Sequence, residues 1–173
     1  KIKWNDIESL EELLSIHGND IACFISSPYD HPVSRDNSLP EEGYWKKITS
    51  LCKQYEVLTI VDDVRAGFRI NLAGSNVAFD FSPDMICFGK AIANGHPLAS
   101  LVGTEKLKHS AEKVYFTGTQ FFSAPPMAAA LATLDQLQKV NAPNQLIEYG
   151  ENLNKRLVKV AEREGFNLIA SGI

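Results

Sequence analysis

Three apolar runs in this chain end in residues able to handle charge or protons. Ile21 to Ser27 closes on Ser26-Ser27, Val57 to Val61 leads into Asp62-Asp63, and Met85 to Phe88 leads into Gly89-Lys90. In an open parallel sheet, ligands sit beyond the carboxyl ends of the strands, so side chains at such ends are the first candidates for chemistry. If the second and third runs are neighbouring strands pointing the same way, Asp62 and Lys90 bring a carboxylate and an amine over one crevice. Such a pair is either a plain salt bridge at the sheet edge or a pair that works on a ligand between its members.

The elements that must position these residues are legible from periodicity. Asn5 or Asp6 can cap a first helix with Ile7, Leu10, Leu13, Leu14 and Ile16 along one side, ending near Gly18. Ile21 to Ser27 has the unbroken apolar character of a strand covered on both faces. Pro28 closes it, and residues 29–37 read as loop. Ser38-Leu-Pro-Glu41 has capping-box spacing with a proline in the first turn, and Tyr44, Trp45, Ile48, Leu51, Cys52 and Tyr55 follow at helical intervals. Val57 to Val61, Met85 to Phe88 and Leu98 to Val102 are the second, third and fourth strands. A short helix is expected from Thr104, an irregular stretch over 114–123, and a long helix from about Pro125 to Lys139 capped by Ser123. An amphipathic helix from Asn144 to about Glu164 turns Ile147, Leu153, Leu157, Val160 and Ala161 inward, before a short strand over 167–170. Strands and helices alternating in this way predict an α/β fold, a mostly parallel sheet flanked by helices.

Composition narrows the function. With 173 residues, 45% hydrophobic and 22% charged, the chain reads as an ordinary globular protein. A net charge of −4 and the lack of any Lys/Arg cluster argue against nucleic acid or anionic lipid as a partner. No run is apolar for the roughly 18 residues of a membrane span, and a signal-peptide core is missing, so the cytoplasm is the default compartment. Cys23, Cys52 and Cys87 lack metal-type spacing and read as reduced, buried thiols. His17, His31 and His109 read as exposed, none is spaced as a metal pair, and His96 reads as a turn residue.

Two ordered blocks carry a resemblance. Leu58-Thr-Ile-Val-Asp-Asp-Val-Arg-Ala-Gly-Phe-Arg69 and Ser82-Pro-Asp-Met-Ile-Cys-Phe-Gly-Lys-Ala-Ile-Ala-Asn-Gly-His-Pro97 resemble the class III aminotransferases, which include glutamate-1-semialdehyde aminomutase. The likeness extends in weaker form from about Ile7 to Ile173. It implies the aspartate-aminotransferase-type fold (fold type I), the cofactor pyridoxal 5'-phosphate, and amino-group transfer between an amino acid or amine donor and a keto or aldehyde acceptor.

The resemblance also implies roles. Lys90 matches the lysine whose ε-amine forms the Schiff base with the cofactor, a role open to an amine that burial and cationic neighbours can deprotonate. Asp62 matches the carboxylate facing the pyridine nitrogen, where it keeps the ring protonated and a better electron sink. Val64 matches an apolar residue packed on one ring face, with ordinary core packing as the alternative. Asp63 stands where Glu is usual and reads as a structural acceptor. Gly118 and Thr119 match a segment whose threonine binds the cofactor phosphate of the neighbouring subunit, which implies a homodimer.

Several positions depart from the family pattern. Ser27 replaces a common Glu, and Gln120 to Pro125 replaces a smaller turn. Arg65 replaces a Gln or Met near the ring's phenolic oxygen; it could bind that oxygen, bind a substrate carboxylate, or pair at the surface with Asp63 or Glu56. These departures bear on substrate more than on cofactor.

The family's upstream half, with its cup for the cofactor phosphate and its ring-stacking aromatic, is not among these residues. The expected division is therefore 1–143, the later part of the cofactor-binding large domain, and 144–173, the start of a small C-terminal domain. A non-catalytic fragment or structural relative is one alternative. A receiver-type phosphoacceptor domain is another, although a strand and a helix precede Asp62, and Asp80 and Asp84 do not lie at the end of a middle strand as that fold requires.

Overall fold

Asp6 opens the first helix as its place before an apolar stripe predicts: its carboxylate accepts the Ser9 backbone N–H at 3.0 Å and starts α1, Ile7–His17. The computed structural model describes residues Lys1–Ile173 as an α/β arrangement with a four-stranded sheet in the order β1-β2-β3-β4. Strands β1 (Cys23–Ser26), β2 (Leu58–Asp62) and β3 (Met85–Phe88) are parallel, and β4 (Ser100–Gly103) runs antiparallel beside β3. Helix α2 (Tyr44–Gln54) connects β1 to β2, and the single-turn α3 (Ser75–Ala78) lies between β2 and β3. After β4 come α4 (Lys108–Glu112), α5 (Ala124–Lys139) and α6 (Ala142–Arg163). No helix is long and apolar enough to cross a membrane.

One face of the sheet is well covered. Leu10 and Leu14 of α1, and Tyr44, Trp45, Ile48 and Cys52 of α2, pack with Val61 of β2 and with Phe81 in a single core. Burying Ile48 alone contributes about 1.5–3 kcal/mol. The Trp45 ring stacks on Phe81 at 4.3 Å, and its indole N–H donates to the Pro28 carbonyl at 2.9 Å, which ties the loop after β1 to α2. Burial lifts the Cys52 thiol to about 11. A second core joins Phe68, Phe88, Ile92, Ala93 and Ala130, and seats α5 against the 3-10 turn Lys90–Ala93.

Several expectations are corrected. The second helix does not start at the Ser38 capping box, because Ser38 exchanges two backbone hydrogen bonds with Asp30 in an isolated bridge. The chain turns instead at Gly43, φ 75°, a conformation glycine adopts at little cost, and α2 begins one residue later. Strand β1 is not covered on both faces, since Ile25 is 58% exposed; it is an edge strand in this chain. For the same reason Cys23 is exposed and Cys87 half-buried, so of the three free thiols only Cys52 is fully buried as expected. Residues 167–170 form no strand. On α6, Leu153, Leu157 and Val160 remain exposed rather than inward-facing.

Asp84, just before β3, pins the strands together. Its Oδ2 accepts the Thr59 N–H at 2.8 Å and the Thr59 hydroxyl at 3.0 Å, and its Oδ1 pairs with Lys106. Burial works against the charged form, but the Lys106 and Thr59 donors outweigh it and hold the carboxyl below its usual range. A lowered folded-state value means that the stabilisation is present above the unfolded-state value and is lost as pH falls through the folded one. Asp84→Asn is expected to cost about 1–3 kcal/mol at neutral pH in denaturant titrations. The gap to the unsubstituted protein should close as pH falls below about 4. A gap that persisted in acid would contradict this role.

Candidate functional site

The parallel pairing of β2 with β3 sets the site. Val61 lies opposite Ile86 and Asp62 opposite Cys87, so Lys90 follows within one turn of the position that faces Asp62. Both side chains are exposed at the carboxyl end of the sheet, where the sequence predicted them together. They do not form a salt bridge. Asp62 instead uses Oδ1 to accept the Val64 N–H at 3.2 Å, and Lys90 has no carboxylate partner in the chain. The proximity of the Asp62 charge registers on Cys87, whose thiol is pushed up first by burial and then by that carboxylate.

Lys90 is held in an unusual backbone conformation. Its φ of 42° lies in the left-handed region, which costs a lysine roughly 1–2 kcal/mol, and it opens the 3-10 turn Lys90–Ala93. The turn's anchors, Ile92 and Ala93, are buried against Ala130 of α5. Gly89 lets the two strand ends approach: a Cβ there would sit 3.2 Å from Val64 Cγ1. Val64, half-buried, therefore packs directly against Gly89, the residue before Lys90.

Asp63 is the structural acceptor the sequence suggested. It is 1% exposed, accepts the Ser75 N–H at 2.8 Å and also the Ser75 hydroxyl, and its backbone N–H donates to the Cys87 carbonyl at 3.0 Å. Burial pushes its carboxyl upward, with the Ser75 donors opposing. Its carbonyl accepts the Gly67 N–H at 2.8 Å and closes the turn beyond β2. Ser75 and Gly67 escaped the sequence reading because nothing local links a serine twelve residues away to a strand end.

Arg65 takes neither surface ion pair that the sequence offered. Its Nη1 donates to His31 Nδ1 at 2.9 Å and to the His31 carbonyl at 3.1 Å. His31 is thus half-buried rather than exposed, edge-on to Tyr29 at 5.0 Å, with Nε2 buried and unpartnered. A guanidinium donor requires a lone pair on Nδ1, which leaves the ring proton on Nε2. Burial pushes the Tyr29 phenol up while the Arg65 and Arg69 charges oppose it, so these groups share one neighbourhood. A histidine in a loop carries no sequence signal of such a contact.

No hydrogen bond joins Gly118 or Thr119 to this group. Thr119 is exposed, and the turn is held by the Phe121 N–H donating to the Gly118 carbonyl at 3.1 Å and by Phe116 stacked on Phe121 at 4.6 Å. His96 is an exposed turn residue whose N–H donates to the Ala93 carbonyl at 3.1 Å. Ser27 is half-buried after β1.

Comparison with known proteins adds a second line. Residues 3–170 match the family model described as aminotransferase class-III. The aminopentol aminotransferase of Sphingopyxis macrogoltabida is 35% identical over 169 residues, covering 98% of this chain and 40% of that protein. A glutamate-1-semialdehyde 2,1-aminomutase of Legionella pneumophila (strain Lens) is 32% identical over 173 residues, covering 98% and 40%. The structure of the PLP internal aldimine form of the Sphingopyxis sp. MTA144 FumI protein superposes with a TM-score of 0.93 at 35% identity, covering 98% of this chain and 41% of that one. The chain thus spans about 40% of the length of these relatives.

The turn beyond β2 supplies a direct test. A Cβ on Gly67 would lie 2.7 Å from the Asp63 carbonyl oxygen and 2.8 Å from the Phe88 ring, both part of the frame under Lys90. Gly67→Ala is expected to destabilise the protein by about 1–3 kcal/mol, measured by thermal or denaturant unfolding. An alanine variant as stable as the original would show that the turn yields freely.

Proposed function

The chain belongs to the class-III aminotransferases, and from that premise we propose that it is the part of a pyridoxal 5'-phosphate-dependent enzyme that supplies the lysine and the carboxylate for amino-group transfer. The observation that carries this reading is the pair Asp62 and Lys90, at the ends of neighbouring parallel strands and not neutralised by each other. The residues fit the cofactor: an amine, a carboxylate with one oxygen free of intrachain donors, and an apolar valine beyond β2 that a Cβ on Gly89 would crowd.

Pyridoxal phosphate, when bound, supplies an electrophilic carbon for amines and a ring that takes up the electrons released when a proton leaves the substrate. Lys90 would hold that carbon through Nζ, and the same nitrogen, as a free amine, would serve as the base that moves a proton during the transfer. Asp62 would keep a proton on the pyridine nitrogen. Val64 would line one face of the ring, while Asp63, tied to Ser75, keeps the loop in place. The Gly118-Thr119 turn, whose threonine is exposed, is assigned to the cofactor phosphate of a second subunit, so the working enzyme would be a homodimer, and the cytoplasm is its proposed compartment.

Residues 1–143 are the later part of the cofactor-binding domain and 144–173 the start of a smaller one; the buried residues of α6 are confined to its first turn, Ala142 and Pro143, next to that boundary. The substrates are an amino donor and a keto or aldehyde acceptor. The departures at Ser27, Arg65 and 120–123 favour an aminotransferase or aminomutase-like enzyme of its own substrate over glutamate-1-semialdehyde aminomutase itself, and the aminopentol aminotransferase at 35% identity supports the transfer reaction.

In the full-length protein, Lys90→Ala is expected to remove the borohydride-sensitive visible band and to lower turnover by at least about 10²–10⁴-fold, the range for a lost general base. Asp62→Asn should retain part of the cofactor and lose most of the rate. Appreciable turnover in the Lys90 variant, or an undiminished rate in the Asp62 variant, would overturn the respective role.

A further inference from the structure

Arg65 is a cation that no acid of this chain neutralises, although Asp62 and Asp63 stand three and two residues before it. Asp63 spends both oxygens on Ser75, and Asp62 turns Oδ1 to the Val64 N–H, so neither claims the guanidinium. What holds Arg65 is neutral. Both of its bonds leave from Nη1 and end on His31, one on the ring nitrogen and one on the carbonyl. An arginine carries five N–H groups, so the Nε–H and Nη2–H donors remain free, in the fork arrangement that matches a planar oxyanion.

The placement adds to the chemistry. Arg65 lies on the turn beyond β2 and His31 on the loop beyond β1, adjacent parallel strands whose carboxyl ends border the same edge as Lys90. His31 is itself braced by Tyr29. His31 Nε2 is buried without a partner in the chain, so the polar contacts of the ring are those that Nδ1 makes with Arg65.

We propose that Arg65, clamped by His31, is the oxyanion anchor of this site, and that His31 is a positioning residue acting through Arg65. The inference rests on the proposed function above. Two oxyanions are chemically available: a carboxylate on the amino substrate, and the phenolate oxygen of the cofactor ring.

The test uses the full-length holoenzyme and the variants Arg65→Gln, His31→Phe and His31→Asn. Two readouts are taken: the visible band of the ligand-free holoenzyme across pH, and Kd values for 3-aminobutyrate and for sec-butylamine, which has the same carbon skeleton without the carboxylate oxygens, measured from the change in that band. Loss of a charge-assisted fork should weaken its ligand roughly ten- to a hundred-fold. If the carboxylate is the target, Arg65→Gln weakens 3-aminobutyrate by that factor and leaves sec-butylamine alone. If the ring oxygen is the target, the ligand-free band or its pH transition moves.

His31→Phe should reproduce the Arg65→Gln result, and His31→Asn, whose amide oxygen can replace Nδ1 as acceptor, should restore it in large part. A borohydride-fixed label on Lys90 in each variant reports that the cofactor site has formed. With that label intact, an unmoved band together with unchanged Kd values would overturn the anchor, whereas failure to label Lys90 in the unsubstituted protein would overturn the function it rests on. A His31→Phe variant that behaves like the unsubstituted protein would overturn the clamp.

Discussion

Opposite charges at the same end of neighbouring strands tend to neutralise each other, and this fold is arranged so that two of them do not. The β2–β3 register brings Asp62 and Lys90 to one edge, yet the carboxylate is turned back to its own strand by the Val64 N–H, and the lysine starts a tight turn at φ 42°. An ion pair there would bring a modest gain at the surface and would occupy both groups. Leaving them free means holding two backbones rigidly, and most of the surrounding structure serves that end. Asp63 bonded to Ser75 fixes the β2 turn, Ala130 packed on Ile92 and Ala93 fixes the lysine's turn, and Gly89 allows the two to meet at Val64.

The covered and uncovered faces of the sheet fit the same picture. Helices α1 and α2 bury Val61 under a continuous aromatic and aliphatic core that supports the strand carrying Asp62. The opposite side leaves Ile25 and Leu101 more than half exposed, at 58% and 59%, in a chain that spans about 40% of the length of its relatives.

Much of this was legible in the sequence, for definable reasons. Apolar runs ending in charged residues gave β2, β3 and the pair Asp62 and Lys90, because strand burial and strand-end chemistry are written locally. Asp63 as a structural acceptor followed from the resemblance, in which it stands where Glu is usual. Local signals misled where tertiary contacts competed with them: Ser38 has the spacing of a helix cap but pairs with Asp30, and the apolar stripe of α6 predicts an inward face that stays exposed in this chain. The contact between His31 and Arg65 was beyond reach, since it joins two loops 34 residues apart through side chains whose types are common on surfaces.

The claim on which the rest depends is that Asp62 and Lys90 serve opposite ends of one flat ring. A crystal structure of the full-length protein grown with pyridoxal phosphate measures this directly. The account predicts continuous density from Lys90 Nζ to the cofactor, and an Asp62 oxygen at about 2.7–2.9 Å from the pyridine nitrogen. A cofactor bound away from Lys90, or an Asp62 carboxylate turned from the ring nitrogen, would contradict it.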